Sequence, residues 1–129
     1  MAWMKDPRVA RLVQDALLYF DGERYELPAW VVMPNHVHAL LIPLQGRTLT
    51  GILHSWKSFT SNKANKLLGR EGDFWQPDYF DRFIRHARHY EDAIEYIESN
   101  PVKAGLGVNN EDWEFSSARL RLGSVLDSL

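Results

Sequence analysis

Trp30-Val31-Val32-Met33-Pro34-Asn35-His36-Val37-His38-Ala39-Leu40-Leu41-Ile42 is the stretch that sets the fold: two apolar runs separated by a Pro-Asn turn. Such runs, bounded by turn residues, read as the two strands of a hairpin. The first strand is expected over 25–33 and the second over 36–43, with Pro43 and Gly46 marking its end. Beyond His38 the second run is apolar on both faces, the pattern of a central strand covered on both sides. Strand side chains alternate, so His36 and His38 share one face and Val37 takes the other. Two imidazoles so placed can share one metal ion. A hairpin with two polar residues near its turn is the plainer reading, and a lone His-x-His does not decide between them. An unpaired imidazole within an apolar strand is costly, which favours a ligand pair.

The chain has 129 residues, enough for one domain with a real core, and it is 45% hydrophobic and 25% charged, as soluble globular proteins are. No run of about 18 apolar residues is present, so no transmembrane helix is expected. Met1-Ala2-Trp3-Met4-Lys5-Asp6 has no signal-peptide pattern. The absence of cysteine removes disulfides and thiolate metal sites and fits a cytoplasmic protein. Any metal must then be held by His, carboxylate or amide. A net charge of −2 argues against a surface that binds polyanions all over. Positive charge is instead local: residues 47–70 hold Arg47, Lys57, Lys63, Lys66 and Arg70 with no Asp or Glu. That stretch is either a solvated helix face or a face that tracks phosphates.

Around the hairpin the other elements follow. Asp6-Pro7 starts a helix, with Val9, Leu12, Val13, Ala16, Leu17 and Phe20 at helical spacing and Gly22 at its end. Thr48 caps a second helix over roughly 49–68, whose buried stripe includes Ile52, Trp56 and Ala64. Residues 74–80 are rich in aromatics, suited to base stacking and more commonly to core packing. A third strand is expected over 79–85, with Arg82 and Arg85 near its end. A further helix over 87–99 stops before Pro101, because a residue preceding proline avoids the helical region. Tyr96 and Asn100 are one turn apart on it and can face one object; a core-margin tyrosine and a helix-end cap fit the same spacing. Residues 118–129 read as a short helix or a loose tail. No repeat or linker is seen, so 1–129 is expected to form a single domain.

Met33-Pro34-Asn35-His36-Val37-His38 resembles the His-hydrophobic-His (HUH) signature of the single-tyrosine, IS200-like transposases. Tyr96-Ile97-Glu98-Ser99-Asn100-Pro101-Val102-Lys103-Ala104-Gly105-Leu106 resembles the catalytic-helix block of their REP-associated branch. Phe74-Trp75-Gln76, Tyr79-Phe80-Asp81-Arg82, and Trp113 with Ser116-Ser117 match further blocks in order, so the resemblance covers about residues 6–120. The histidine motif alone is a weak signal; joined to the Tyr96–Gly105 block it is specific.

The resemblance implies an α+β, ferredoxin-like antiparallel sheet packed with helices. It implies a metal-dependent single-strand DNA endonuclease and strand transferase. Tyr96 would be the nucleophile, forming a 5′-phosphotyrosine intermediate, and His36, His38 and Asn100 the ligands of Mg²⁺ or Mn²⁺. Lys57, Lys63, Lys66, Arg82, Arg85 and Lys103 would contact DNA, with single strands or hairpins as substrate and a homodimer as the assembly. Members of the family begin with a strand ahead of the first helix, whereas only five residues precede Asp6 here. The expectation is therefore a shortened sheet. Its first strand would be missing, leaving the histidine strand with an open edge, or supplied by a second chain, or reduced to a stub at Met1–Lys5. The alternative functions are a truncated relative that binds DNA without cutting it and a small metal-binding ferredoxin-like protein of other use.

Overall fold

The computed structural model describes residues 2–75, 80–83 and 90–127, the stretches 80–83 and 124–127 by their backbone alone. A 3₁₀ turn at Trp3–Lys5 leads into helix α1, Pro7–Tyr19. Of the stub expected at Met1–Lys5, Trp3–Lys5 coils instead and buries Met4, while Met1 lies outside the described residues. The Asp6 carboxylate accepts a bond from the Arg8 amide at 2.9 Å and so caps α1, with proline next in line as the fixed φ of that residue permits. Val9, Ala10, Val13, Ala16 and Leu17 form its buried stripe.

Strands β1, Tyr25–Val32, and β2, Val37–Pro43, form the expected antiparallel hairpin, with Val32 opposite Val37 and the Met33 amide bonded to the His36 carbonyl at 2.8 Å across the Pro-Asn turn. The register slips between Glu26, opposite Ile42, and Ala29, opposite Leu40. One extra residue is therefore accommodated at Leu27-Pro28, where proline's missing donor is tolerated. The slip reverses the faces: Leu27 joins Trp30 and Val32 in one core, while Ala29, Val31 and Met33 join the other.

Helix α2, Leu49–Leu68, starts at Thr48, whose hydroxyl accepts from the Gly51 amide, and ends at Gly69 in the left-handed conformation (φ 65°) that glycine adopts without strain. Ile52, Trp56, Thr60 and Ala64 recur every fourth residue on its buried side. Together α1 and α2 cover the sheet face that carries Val37, Ala39 and Leu41. Tyr25 lies in this core; its hydroxyl donates to the Leu17 carbonyl at 2.6 Å, and burial pushes its ionisation well above the usual phenol range.

Strand β3, Phe80–Phe83, pairs with β2 in parallel, with Val37 opposite Phe80 and His38 opposite Arg82. The sheet order is β1-β2-β3. The sheet is therefore mixed rather than wholly antiparallel. The edge of the histidine strand, expected to be open, is paired along Val37–Ala39, and there β2 is central as its two-sided apolar pattern predicts. The α+β class holds. The expected limits 79 and 84–85 of this strand, and 87–89 of the following helix, lie outside the described residues.

Helix α3, Tyr90–Glu98, lies on the opposite face and packs Ala93 and Ile97 against Ala29, Val31, Met33 and Leu40. Pro101 does not end the helical path. A short helix α4, Asn100–Lys103, follows with the proline in its first turn, where the missing donor costs nothing. After a 3₁₀ turn at Asn110–Asp112 the chain closes with α5, Ser117–Asp127, the short helix rather than the loose tail. Between them the chain runs along the outer edge of β1. The Val32 amide bonds to the Phe115 carbonyl at 2.9 Å, and Ser117 Oγ lies 3.1 Å from the Trp30 amide and 3.3 Å from its carbonyl. Trp113 Nε1 donates to the Val32 carbonyl at 2.9 Å. Farther along the same strand, Asp21 Oδ1 takes the Leu27 amide and the Gly22 amide takes the Tyr25 carbonyl.

Candidate active site

The site lies on the α3 face of the sheet. His38 on β2 and His36 just ahead of that strand stand together there, with ring centroids 4.6 Å apart and planes crossed at 84°. His38 is buried and His36 half-buried. The Tyr96 ring approaches from α3, its centroid 6.0 Å from that of His38. One strand and one helix thus bring together residues separated by about sixty positions in the chain. The alternation of β2 turns His38 to the face that Leu40 shares with α3, and Tyr96 sits beside the buried residues Ala93 and Ile97 that dock the helix.

One detail at the histidine pair was not visible in the sequence. His36 Nδ1 lies 2.6 Å from Asn35 Oδ1. An amide oxygen only accepts, so with this amide orientation Nδ1 carries the proton and the lone pair is on Nε2. Metal-binding histidines are commonly oriented in this way by a neighbour on the other ring nitrogen. The only sequence signal for Asn35 was its place in the turn. Lys103 Nζ, from α4, lies 5.2 Å from the Tyr96 ring centroid, adding positive charge where a phosphate would face the tyrosine. Asn100 is half-buried, and its Nδ2 donates to the Tyr96 carbonyl at 3.3 Å, the bond of a helix-end cap.

Among the described residues no three His, Cys, Asp or Glu side chains gather as a metal cluster. The donor set expected from the sequence is two imidazoles with an amide oxygen, of which the imidazoles stand together. Such a set suits a borderline divalent ion whose charge is left for an anionic substrate. The paired imidazoles fit that ion; the Asn100 amide, the expected third donor, is bonded to its own helix through Nδ2.

The basic residues divide. Lys57 and Lys63 do not form one face of α2. Lys63 lines a groove of about 400 Å³ against α1 with Arg8, Arg11, Tyr19 and Phe59, whereas Lys57 lines another of about 250 Å³ beside His54, Asp73 and Trp75. Six residues along a helix amount to about 600° of rotation, which separates the two flanks. Lys66 is exposed near the end of the same helix. The backbone of Arg82 is set opposite His38 by the register of β3, and Arg85 lies outside the described residues.

An α+β domain with an imidazole pair on a central strand, faced by a tyrosine from a helix, defines a class. Over residues 7–100 the chain matches the family model described as "Transposase IS200 like", and it belongs to that family. Within the family it is similar to the REP-associated tyrosine transposase of Escherichia coli strain K12. The two are 30% identical over 112 residues, which span 83% of this chain and 63% of that one. An uncharacterized protein of Haemophilus influenzae is 28% identical over 95 residues, 57% of this chain and 52% of that one. Among solved structures, a REP-associated tyrosine transposase bound to a REP hairpin matches with a TM-score of 0.63 at 26% identity, over 88% of this chain and 67% of the other. The chain thus spans about half to two thirds of the length of the curated relatives it matches.

Proposed function

We propose that the chain is a DNA strand nickase and transferase of the transposase type, with Tyr96 as nucleophile. The observation that carries this reading is the Tyr96 ring 6.0 Å from the ring of His38, which is itself 4.6 Å from that of His36. The Tyr96 hydroxyl attacks the phosphorus of a DNA phosphodiester and releases its proton. The bond from phosphorus to the 3′ oxygen breaks, that oxygen takes up a proton, and the 5′ phosphate stays on the tyrosine. The linkage conserves the bond energy, so a second 3′-hydroxyl can reverse the step on another end. A phenol with a pKa of about 10 attacks slowly at neutral pH unless it is held against an activated phosphate. His36, His38 and Asn100 would hold Mn²⁺ or Mg²⁺, an ion whose chemistry is to polarise the phosphate and offset its developing charge. Imidazole donors suit Mn²⁺ better than Mg²⁺. Lys103, beside the tyrosine, holds the phosphate from the α4 side. Lys57, Lys63, Lys66, Arg82 and Arg85 are proposed as DNA-backbone contacts.

The substrate is proposed to be a hairpin with single-stranded flanks, because a REP hairpin is what the similar solved structure is bound to. The test is to incubate the full chain with such hairpins and Mn²⁺ and to separate the products under denaturing conditions. A covalent protein–DNA adduct is expected, lost in Tyr96→Phe and lost with chelator. An adduct that persists in Tyr96→Phe sinks the assignment. A second reading is a relative that binds hairpins without cutting them. Hairpin binding with steep salt dependence and no adduct would establish it.

A further inference from the structure

Two residues beyond Tyr96, helix α3 carries a carboxylate that the proposed chemistry does not use. Glu98 is 5% exposed. It accepts from Ser117 Oγ at 2.6 Å and takes a two-pronged bond from Arg121, Nη1 at 3.0 Å and Nη2 at 2.6 Å. Ser117 is in turn seated on the Trp30 backbone of β1. Three elements, α3, α5 and the sheet edge, meet at this one carboxylate. Burying a charge is costly, and an apolar side chain of similar size would fill the same space at no such cost. What an ion pair of this kind adds is direction, since a forked guanidinium bond holds one orientation.

Direction matters here because α3 is nine residues long and carries the tyrosine near its end. Among the described residues Ala93 and Ile97, with Ile94 and Tyr96 partly buried beside them, rest on Ala29, Val31, Met33 and Leu40. Apolar contacts of this kind are non-directional, whereas the Glu98 tie has one geometry. Residues two apart on a helix leave it about 200° around the axis from one another. Tyr96 and Glu98 therefore point nearly oppositely, and a tie on one sets the aim of the other.

We propose that Glu98 is a positioning residue for Tyr96: the Glu98–Ser117–Arg121 tie fixes the rotation of α3 and so holds the tyrosine against the histidine pair. This rests on Tyr96 being the nucleophile. It predicts a defect in the chemical step with hairpin affinity intact, because the tie lies on the side of α3 turned away from Tyr96. A misplacement of about 1 Å at a reacting group can cost up to a hundredfold in rate.

The experiment measures the single-turnover rate of adduct formation at saturating hairpin and, separately, the hairpin Kd, for the full chain well below its melting temperature. Glu98→Gln and Arg121→Ala are expected to slow adduct formation ten- to a hundredfold with Kd within about twofold. The double variant should be no slower than the worse single one. Arg121→Lys, which keeps charge but loses the fork, should recover part of the rate. If Glu98→Gln does not fold, the two Arg121 variants carry the test, since that side chain is 56% exposed and can be changed without opening the core. Wild-type rates in the folded variants overturn the proposal, as does a slowdown matched by an equal loss of affinity or a melting shift with the rate unchanged. If the wild-type chain itself forms no adduct, the nucleophile assignment fails and this inference falls with it. If the wild type reacts and the variants react equally well, only this inference falls.

Discussion

The two faces of the sheet are built on different principles. Under α1 and α2 the face is closed: Val37, Ala39, Leu41, Trp56, Phe74 and Tyr25 are buried and packed to the density of a protein interior. Under α3 the apolar set is small, and it gives way toward one end of β2 to two imidazoles, a half-buried tyrosine and a lysine. The same strand serves both, by simple alternation. The comparison teaches that the first face holds the strand rigid so that the second can leave polar groups standing at short range. A site gains precision from the packing behind it.

Substitutions that break this division should separate function from stability. The largest effect is expected at the open face. His36→Ala should lower adduct formation at least a thousandfold, about 4 kcal/mol of barrier, while the melting temperature moves by only a few degrees. Paired rate and melting measurements check it, and a large melting shift would mean that His36 is structural. On the closed face the signs reverse. Trp56→Ala removes a fully buried indole and should cost about 3–5 kcal/mol in denaturant unfolding, with loss of activity only in proportion to the protein unfolded. A subtler change lies behind the histidines. Asn35→Ala removes the acceptor from His36 Nδ1 and should weaken Mn²⁺ binding about ten- to a hundredfold by calorimetric titration, leaving stability nearly untouched.

The smallest effect concerns Tyr25. Burial raises its ionisation in the folded state above the unfolded value of about 10. The folded chain therefore keeps this proton when the unfolded chain has lost it. The associated stability is complete below pH ~10 and falls as pH rises beyond it. Tyr25→Phe should flatten that alkaline decline and cost about 1 kcal/mol at neutral pH through the lost bond to the Leu17 carbonyl. An alkaline limb unchanged in Tyr25→Phe would assign the decline to other groups.

Much of this was legible in the sequence because it is local. The Asp6-Pro7 start of α1, the Pro-Asn turn, the Thr48 cap and the common face of His36 and His38 all follow from spacings of a few residues. What was not legible depends on distant partners. Pro28 inside the run marks an edge or a bulge, but not that the two faces exchange there. The lysines of α2 look like one face when counted by charge, and divide once α1 and residues 73–75 flank the helix. Glu98 reads as an ordinary surface glutamate until Ser117 and Arg121, about twenty positions on, close over it. The expected open edge of β2 was an inference from a pattern of elements, and the pairing with β3 fills it.

The way β1 is finished bears on assembly. An exposed strand edge is an invitation for a second chain to add its own strand. Along β1 the groups that would extend it are spoken for: Trp30 by Ser117, the Val32 amide by Phe115, its carbonyl by Trp113, the Leu27 amide by Asp21 and the Tyr25 carbonyl by Gly22. Pro28 has no donor to offer. The sheet is hemmed on this side by its own chain, so neither a second copy nor a stray strand can continue it there. A homodimer, if DNA transfer calls for one, has to be joined through some other surface, and the hem also guards the hairpin that carries the histidines against runaway pairing between molecules.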